Sequence, residues 1–207
     1  MTDSPAVNAA DPQAKTGNKR ERLVAAACRL FYEQGVERTT LADIAAAADV
    51  PLGNVYYYFK TKDELVKAAV DMQVDAIEEM IGSLEQHRSP ASRLKALVEE
   101  LTAQADMIAR YGCPHGTLCT ELRKRSDDSD PASGRLMRTS LAWAERQFQA
   151  MGRSDARDLA IEMMTRYQGT AVLTQALGDP SLMSKEARRM KRWIDSIAAS
   201  SPATSPG

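Results

Sequence analysis

The side chains best suited to recognition chemistry lie close together near the N-terminal end of the chain. Asn54 can pair with base edges, while Tyr57 and Tyr58 offer hydroxyl groups to phosphates and ring surface to thymine methyl groups. Gly53 allows a backbone to approach a duplex closely. These residue types indicate a surface that reads DNA. From the pattern alone, an amphipathic helical hairpin with surface tyrosines in a plain bundle remains an alternative.

A second stretch with reactive groups runs from Cys113 through His115 to Cys119. Its two thiols and one imidazole are irregularly spaced as metal ligands, and only His87 could add a second imidazole, so we expect no metal and no other cofactor. Cys113 precedes a predicted helix start, where a thiolate is favoured. A redox-responsive regulator that senses through Cys113 and Cys119 is therefore an alternative.

No set of residues has the spacing of a catalytic site. The chain has 2 histidines and lacks the Gly-x-Ser-x-Gly, His-Glu-x-x-His and phosphate-loop motifs. The adjacent acidic pairs at 99–100 and 127–128 are best interpreted as solvated charge. We therefore predict that the protein is not an enzyme.

Composition fits one large or two small domains with an apolar core, since 43% of the 207 residues are hydrophobic and 27% are charged. No apolar run approaches the roughly 18 residues of a membrane span, and the first residues lack a signal-peptide pattern. We expect a cytoplasmic protein that makes no membrane contact. Three cysteines, an odd number, are expected to remain reduced thiols.

Charge is unevenly distributed along the chain. The formal net charge is −1, but residues 15–62 contain eight basic and five acidic side chains. A basic N-terminal portion on an acidic remainder indicates contact with a polyanion at one end only.

The pattern of apolar residues predicts an all-α protein with about nine helices, because three-and-four spacing dominates and strand-like alternation is missing from the sequence. Residues 1–16 and 200–207 are predicted to be disordered tails. The predicted helices cover residues 18–34, 41–48, 52–59, 62–87, 90–111, 117–125, 131–151, 154–177 and 184–199.

Two of these helices, 41–48 and 52–59, are short, are joined by a few residues and follow a longer helix. That order is typical of a helix-turn-helix. Ile44 of the first short helix, and Val55 and Phe59 of the second, have the spacing of inward-facing residues. We therefore predict a three-helix DNA-binding domain over residues 17–62.

The run from Thr39 to Ala45, the triplet Ala48-Asp49-Val50 and the run from Gly53 to Leu65 resemble the DNA-binding domain of the TetR family of transcriptional regulators. The resemblance implies that Thr40 caps the first short helix and contacts phosphate. It assigns Gly53, Asn54, Tyr56 and Tyr57 to the major groove, and Tyr58, Lys60 and Lys62 to phosphates. Thr39 and Arg38 complete the predicted DNA-binding set, Arg38 on charge and position alone, as for Arg20.

Several positions depart from the family pattern. Asp49 replaces the usual glycine of the turn, and Pro51 replaces the usual serine cap. Leu52 lies where a polar phosphate contact is common, and Tyr58 replaces a frequent histidine. Fewer charged contacts predict a shallower salt dependence of DNA binding.

Residues 63–199 are assigned by the same resemblance to ligand binding and dimerisation. It implies a homodimeric repressor that binds a palindromic double-stranded operator and is released by a small apolar or amphipathic effector. A helical adaptor that binds proteins and not DNA is the alternative from another functional class. The predicted pocket residues are Met72, Met107, Tyr111, Cys113, Met137, Trp143, Phe148, Met163, Met164 and Tyr167. The predicted interface residues are Leu159, Met163, Tyr167, Ala171, Thr174, Met190, Trp193, Ile194 and Ile197.

Overall fold

The computed structural model describes residues 18–125 and 134–200. In these ranges the regular elements are helices and no strand occurs, which confirms the predicted all-α class. The ten described α-helices are α1 (Lys19–Gln34), α2 (Leu41–Ala47), α3 (Leu52–Tyr58), α4 (Lys62–Leu84), α5 (Pro90–Thr102), α6 (Ala105–Tyr111), α7 (Pro114–Arg125), α8 (Arg135–Ala150), α9 (Ala156–Leu177) and α10 (Ser181–Ser200).

The segment predicted as one helix over 90–111 is two helices, α5 and α6. The break lies at Ala103 and Gln104. The backbone of Gln104 is not helical, with φ −101° and ψ 40°. α7 begins at Pro114, three residues before the predicted start, because proline suits the first turn of a helix. The predicted tail over residues 1–16, the loop at 126–129, the helix start at Pro131 and residues 201–207 lie outside the described ranges.

The chain divides into two compact units. One comprises the described residues of 1–77 and 117–136, and the other comprises those of 78–116 and 137–207. Helices α4, α7 and α8 each begin in one unit and end in the other. This grouping reflects packing, so the functional division predicted at residues 62 and 63 stays a prediction.

The core of the first unit forms where α1 and α2 pack together and α2 packs on α3. Leu23 of α1, Ile44 of α2 and Val55 of α3 are each fully buried. Phe59 closes this core directly after α3 and is also buried. These side chains fix the angle between the two short helices, because close-packed apolar groups leave little room for rearrangement.

The core of the second unit lies where α10 packs on α5 and α9. Trp143, Phe148 and Met163 are fully buried there. The indole nitrogen of Trp143 donates to Oε1 of Glu85 at 2.7 Å, so the one polar atom of this ring is paired. Over the described ranges, none of the helices combines the length and hydrophobicity needed to span a bilayer.

Candidate nucleic-acid interface

Helix α1, which supports the two short helices, has defined limits at both ends. Asn18 and Glu21 form a capping box, in which the amide of Glu21 donates to Oδ1 of Asn18 and the amide of Asn18 donates to Oε2 of Glu21, each at 3.1 Å. Gly35 ends the helix with φ +86°, in a region that favours glycine. The chain then turns sharply towards α2.

Thr40 caps α2, as predicted. Its hydroxyl oxygen accepts from the amide of Asp43 at 3.1 Å, and its own amide donates to Oδ2 of Asp43 at 2.8 Å. The Thr40 hydroxyl also donates to Oδ2 of Asp43, and together these hydrogen bonds lower the pKa of that carboxyl. Thr40 is exposed, so it remains available for the predicted phosphate contact.

Thr39, which was also predicted to bind DNA, lies inside the unit. Its side chain is fully buried, and its hydroxyl donates to the carbonyl of Gly35 at 2.7 Å. The amide nitrogen of the Gln34 side chain donates to the same hydroxyl at 3.2 Å. The structure therefore corrects this assignment: Thr39 stabilises the turn between α1 and α2 and does not face a ligand.

The turn between α2 and α3 is held by a residue that the sequence did not single out. Asp49 has φ +51°, the left-handed conformation of the glycine that it replaces. Arg22 of α1 donates from Nε and Nη2 to the carbonyl of Ala48, at 3.0 and 2.6 Å, and also bonds the carbonyl of Asp49. Arg22 was counted only as one basic residue of the N-terminal portion, because helical periodicity does not reveal a partner 26 residues away.

Pro51 stands at the N-cap of α3 and makes no side-chain cap hydrogen bond, as its lack of a hydroxyl predicts. Within α3, Val55 faces inward as expected. The outer face carries Tyr57, which is 77% exposed, Tyr56, which is 50% exposed, and Leu52, which is 43% exposed. A run of large exposed side chains on one seven-residue helix is unusual for a surface with no ligand.

The other residues predicted to read bases lie on the same short helix. A Cβ placed on Gly53 meets no atom within 4 Å, so this position opens to solvent. Asn54 is half-buried, and the ring of Tyr57 packs edge-on against Tyr58, with their centroids 5.0 Å apart. Aromatic contact between these two side chains limits the directions that the exposed ring can take.

Basic side chains border this face. Nζ of Lys60 donates to the carbonyl of Tyr56 at 2.9 Å, and Nζ of Lys62 donates to the carbonyl of Glu37 at 3.3 Å. Arg38 is exposed, whereas the guanidinium group of Arg20 lies over the ring of Phe59, 5.3 Å from its centroid. The site therefore joins an amide and tyrosines on one helix with cations at its edge, which is the chemistry of a groove-reading helix and its phosphate contacts.

Residues 23–69 match the family model described as bacterial regulatory proteins, tetR family. The chain belongs to the TetR family. The transcriptional regulator TtgR of Pseudomonas putida is 29% identical over 187 residues, which cover 85% of this chain and 88% of TtgR. AcrR of Shigella flexneri is 38% identical over 85 residues, which cover 40% of this chain and 38% of AcrR. The protein is thus a TetR-family, DNA-binding transcriptional regulator.

Solved structures share the fold. A TetR transcriptional regulator from Legionella pneumophila aligns with a TM-score of 0.76 at 17% identity, over 87% of this chain and 97% of that one. AibR in complex with isovaleryl coenzyme A and operator DNA aligns with a TM-score of 0.61 at 16% identity, over 85% and 97% of the two chains. At these identities the likeness concerns the helical architecture alone.

The residues predicted to line a pocket of this TetR-family protein do not form one group. Met72 belongs to the first unit, where its sulfur lies 3.9 Å from Sγ of Cys28. The others lie in the second unit. Among them, Trp143, Phe148 and Met163 are packed into the apolar core.

Cys113 is the centre of a polar cluster in the second unit. Three groups donate to its Sγ: the hydroxyl of Tyr167 at 3.5 Å, the side-chain amide of Gln168 at 3.3 Å and the backbone amide of Gly116 at 3.3 Å. Burial lowers the pKa of the neighbouring His115 to about 4, so its imidazole is neutral at pH 7. Among the described residues, no group of three or more metal-ligating side chains is arranged to hold an ion.

The residues predicted to form the dimer interface face the interior of the single chain. Eight of the nine are buried, and Trp193 is half-buried against the ring of Phe148. The eight buried side chains could contact a second copy only if the core unpacked, so the structure corrects these eight, whereas Trp193 stays a prediction. The large apolar residues of α9 that are exposed are Ile161, Val172, Leu173 and Leu177.

Proposed function

We propose that this TetR-family protein is a one-component repressor that binds a palindromic operator as a homodimer and is released by a small apolar or amphipathic effector. The observation that carries the proposal is the outer face of α3, where exposed tyrosines surround an open glycine on a helix fixed by a buried inner face. AibR, which shares the fold, is described as a complex with a coenzyme A thioester and operator DNA.

In the proposed complex, α3 lies in the major groove. Asn54 bonds base edges, while Tyr56 and Tyr57 contact bases and thymine methyl groups. Gly53 allows the helix to approach closely, because in the described part of the chain no atom lies within 4 Å of a Cβ placed on this residue. The phosphate contacts come from the exposed or half-buried polar residues around this helix, namely Arg38, Thr40, Tyr58, Lys60 and Lys62.

Dimerisation supplies the second recognition helix. Two such helices about one helical turn apart, roughly 34 to 36 Å, match a palindromic site. The exposed face of α9 supports this arrangement, since Val172, Leu173 and Leu177 are 64%, 55% and 69% exposed. Gly169 lies on the same helix with open space beside it, so a second copy could approach its backbone closely. An apolar face of this kind is typical of a protein interface.

The interior of the second unit favours an uncharged effector. Its buried polar residues within the described ranges are Ser140, Gln147 and Thr174, none of which is ionised. A charged ligand taken into such surroundings would lack a counter-ion and lose its hydration, which costs several kcal/mol or more. An apolar or amphipathic molecule avoids that cost.

The two alternative functions have less support. A helical adaptor that does not bind DNA would not explain the exposed tyrosine face of α3. The relatives of this chain are also named as transcriptional regulators. Redox sensing through Cys113 and Cys119 would need an oxidant to reach both thiols, and Cys113 is 5% exposed whereas Cys119 is half-buried. Adding hydrogen peroxide to the DNA-binding assay tests this input directly.

The test of DNA binding uses operator sequences that the wild-type protein selects from random DNA. We expect Tyr57→Ala and Asn54→Ala each to abolish specific binding in a gel shift while leaving dimerisation and Tm nearly unchanged, because both side chains lie outside the core. Tyr57→Phe keeps the ring and shows whether the hydroxyl is needed. Unchanged binding by both alanine variants would refute the proposed interface.

The test of dimerisation introduces a charge into the exposed face of α9. We expect Leu173→Glu to give a folded monomer by light scattering, because a dimer would bury the new carboxylate without a partner. Leu52→Glu is the matched control, since it places the same charge on the exposed face of α3 and should leave the dimer intact. A Leu173→Glu variant that stays dimeric would show that the dimer interface does not include this face of α9.

A further inference from the structure

The C-terminal end of α7 forms a polar cluster with the turn after α1 and with the start of α4, inside the first unit. Nη1 of Arg125 lies 2.6 Å from Oε1 of Glu37, and Nη2 lies 2.9 Å from Oδ1 of Asp63. One turn earlier, Oε1 of Glu121 accepts from the backbone amide of Glu37 at 2.8 Å. A single helical turn of α7 is thus bonded both to the turn after α1 and to the start of α4.

The backbone around Glu37 is shaped to receive Glu121. Gly35 has φ +86°, and a Cβ on this residue would lie 3.2 Å from Oε2 and 3.3 Å from Oε1 of Glu121. The absence of a side chain at Gly35 therefore allows the carboxylate to lie against the turn. Two residues after Glu37, the buried hydroxyl of Thr39 donates a hydrogen bond to the carbonyl of Gly35. This hydrogen bond connects the turn with the N-cap of α2.

The two carboxylates held by Arg125 adjoin predicted phosphate contacts in the sequence. Glu37 precedes Arg38, and Asp63 follows Lys62. Both carboxylates are open to solvent, with side chains 67% and 82% exposed, whereas the Arg125 side chain is only 25% exposed. Unpaired carboxylates at these positions would repel a phosphate backbone, and the guanidinium group of Arg125 offsets their charge.

We propose that Glu121 and Arg125 are positioning residues for DNA binding, which set operator affinity without touching DNA. Glu121 fixes the backbone of the turn that leads into α2. Arg125 holds Glu37 and Asp63 and offsets one of their two negative charges beside the phosphate contacts. This inference rests on the proposed DNA interface, and no comparison or sequence motif points to α7 in this role.

The salt dependence of binding separates positioning from direct contact. A side chain that neutralises a DNA phosphate adds about one unit to the slope of log K against log salt concentration. The guanidinium group of Arg125 is already shared by two carboxylates. We therefore expect Arg125→Ala to lower affinity at every salt concentration while the slope changes by less than half a unit.

The experiment measures the affinity of the full-length protein for its selected operator by fluorescence anisotropy. We expect Arg125→Ala to weaken binding about 3- to 10-fold, in the range of ion pairs that are partly shielded from solvent. Lys124→Ala is the matched control, because it removes the same charge from the next residue of α7 and should change affinity less than twofold. Tyr57→Ala, measured alongside, tests the interface itself.

Two rescue variants test the assigned roles. Replacing Glu37 by Gln and Asp63 by Asn in the Arg125→Ala background removes the uncompensated charge, and we expect most of the lost affinity to return. Glu121→Gln keeps an oxygen that can accept from the amide of Glu37, so it should bind like the wild type, whereas Glu121→Ala should weaken binding. Urea unfolding of each variant shows whether a loss of affinity follows a loss of stability.

Each result decides one point. Equal effects of Arg125→Ala and Lys124→Ala would overturn the proposal while leaving the interface intact, provided that Tyr57→Ala still abolishes binding. A slope lower by about one unit would show that Arg125 contacts phosphate directly, which also overturns it. A loss of affinity that is explained by unfolding, or that the rescue variants do not restore, would do the same. Binding that survives Tyr57→Ala would refute the DNA interface and not the role of α7.

Discussion

The guanidinium group of Arg22 bonds the backbone carbonyl of Asp49, the only described residue other than glycine with a positive φ. It also donates twice to the carbonyl of Ala48, so one side chain of α1 satisfies the C-terminal end of α2 and the turn that follows it. The orientation of the recognition helix thus depends on a contact between residues 27 positions apart.

Arg22→Ala is expected to lower the free energy of unfolding by about 1 to 3 kcal/mol, because it leaves backbone carbonyls of the turn without their charged donor. Urea denaturation followed by circular dichroism measures this loss. Arg29→Ala is the control, since Arg29 pairs with Glu33 of the same helix at 3.3 Å and its loss should cost less than about 1 kcal/mol. An equal loss in both variants would refute the assigned role of Arg22.

Asp49→Gly is expected to keep or raise stability, by up to about 1 kcal/mol, because glycine adopts φ +51° without a Cβ clash. Asp49→Val should lower stability by more than about 1 kcal/mol, since β-branched residues are poorly accommodated in this conformation. Thermal melts of the two variants give the comparison. A valine variant as stable as the glycine variant would show that the left-handed backbone imposes no constraint here.

Thr39→Val separates a structural role from a DNA contact. The methyl group preserves shape but leaves the carbonyl of Gly35 and the side chain of Gln34 without their hydroxyl partner. We expect stability to fall by about 1 to 3 kcal/mol. The affinity for the operator, measured where the variant is folded, should stay close to that of the wild type. A loss of affinity with unchanged stability would restore Thr39 to the DNA-binding set.

Acid should destabilise the protein partly through His115. Burial lowers the pKa of its imidazole from 6.5 to about 4, so below pH 6.5 the unfolded state binds a proton that the folded state does not. Stability should therefore fall as the pH drops from about 6.5 to 4, by at most about 3 kcal/mol from this group. Above pH 6.5 the group contributes no pH dependence.

The measurement compares urea unfolding at pH 7 and pH 5 in the wild type and in His115→Gln. The free energy of unfolding of His115→Gln should fall less from pH 7 to pH 5 than that of the wild type, because glutamine takes up no proton. His87→Gln is the control, because it makes the same substitution at the other histidine of the chain, which is exposed. A His115→Gln profile that parallels the wild type would show that the imidazole is not held neutral.

The sequence by itself determined the DNA-binding part of the protein. Thr40 capping α2, Val55 facing inward and the tyrosines facing outward all follow from interactions over three or four residues, which periodicity and capping preferences describe. The short motif around these residues also carries the resemblance by which the family was identified. Local hydrogen bonds and local patterning decide these features, so one sequence is enough to predict them.

Tertiary structure alone decided which residues cover one another. The predicted interface residues of α9 form one stripe with the spacing of a buried face, namely Leu159, Met163, Tyr167, Ala171 and Thr174. Periodicity does not tell whether the same chain or a second copy covers this stripe. The chain covers this stripe itself and leaves Val172 and Leu173 exposed. The partners of Arg22 and Arg125 could not be predicted from the sequence either, because long-range hydrogen bonds and ion pairs depend on how helices pack and not on the spacing of residues along one helix.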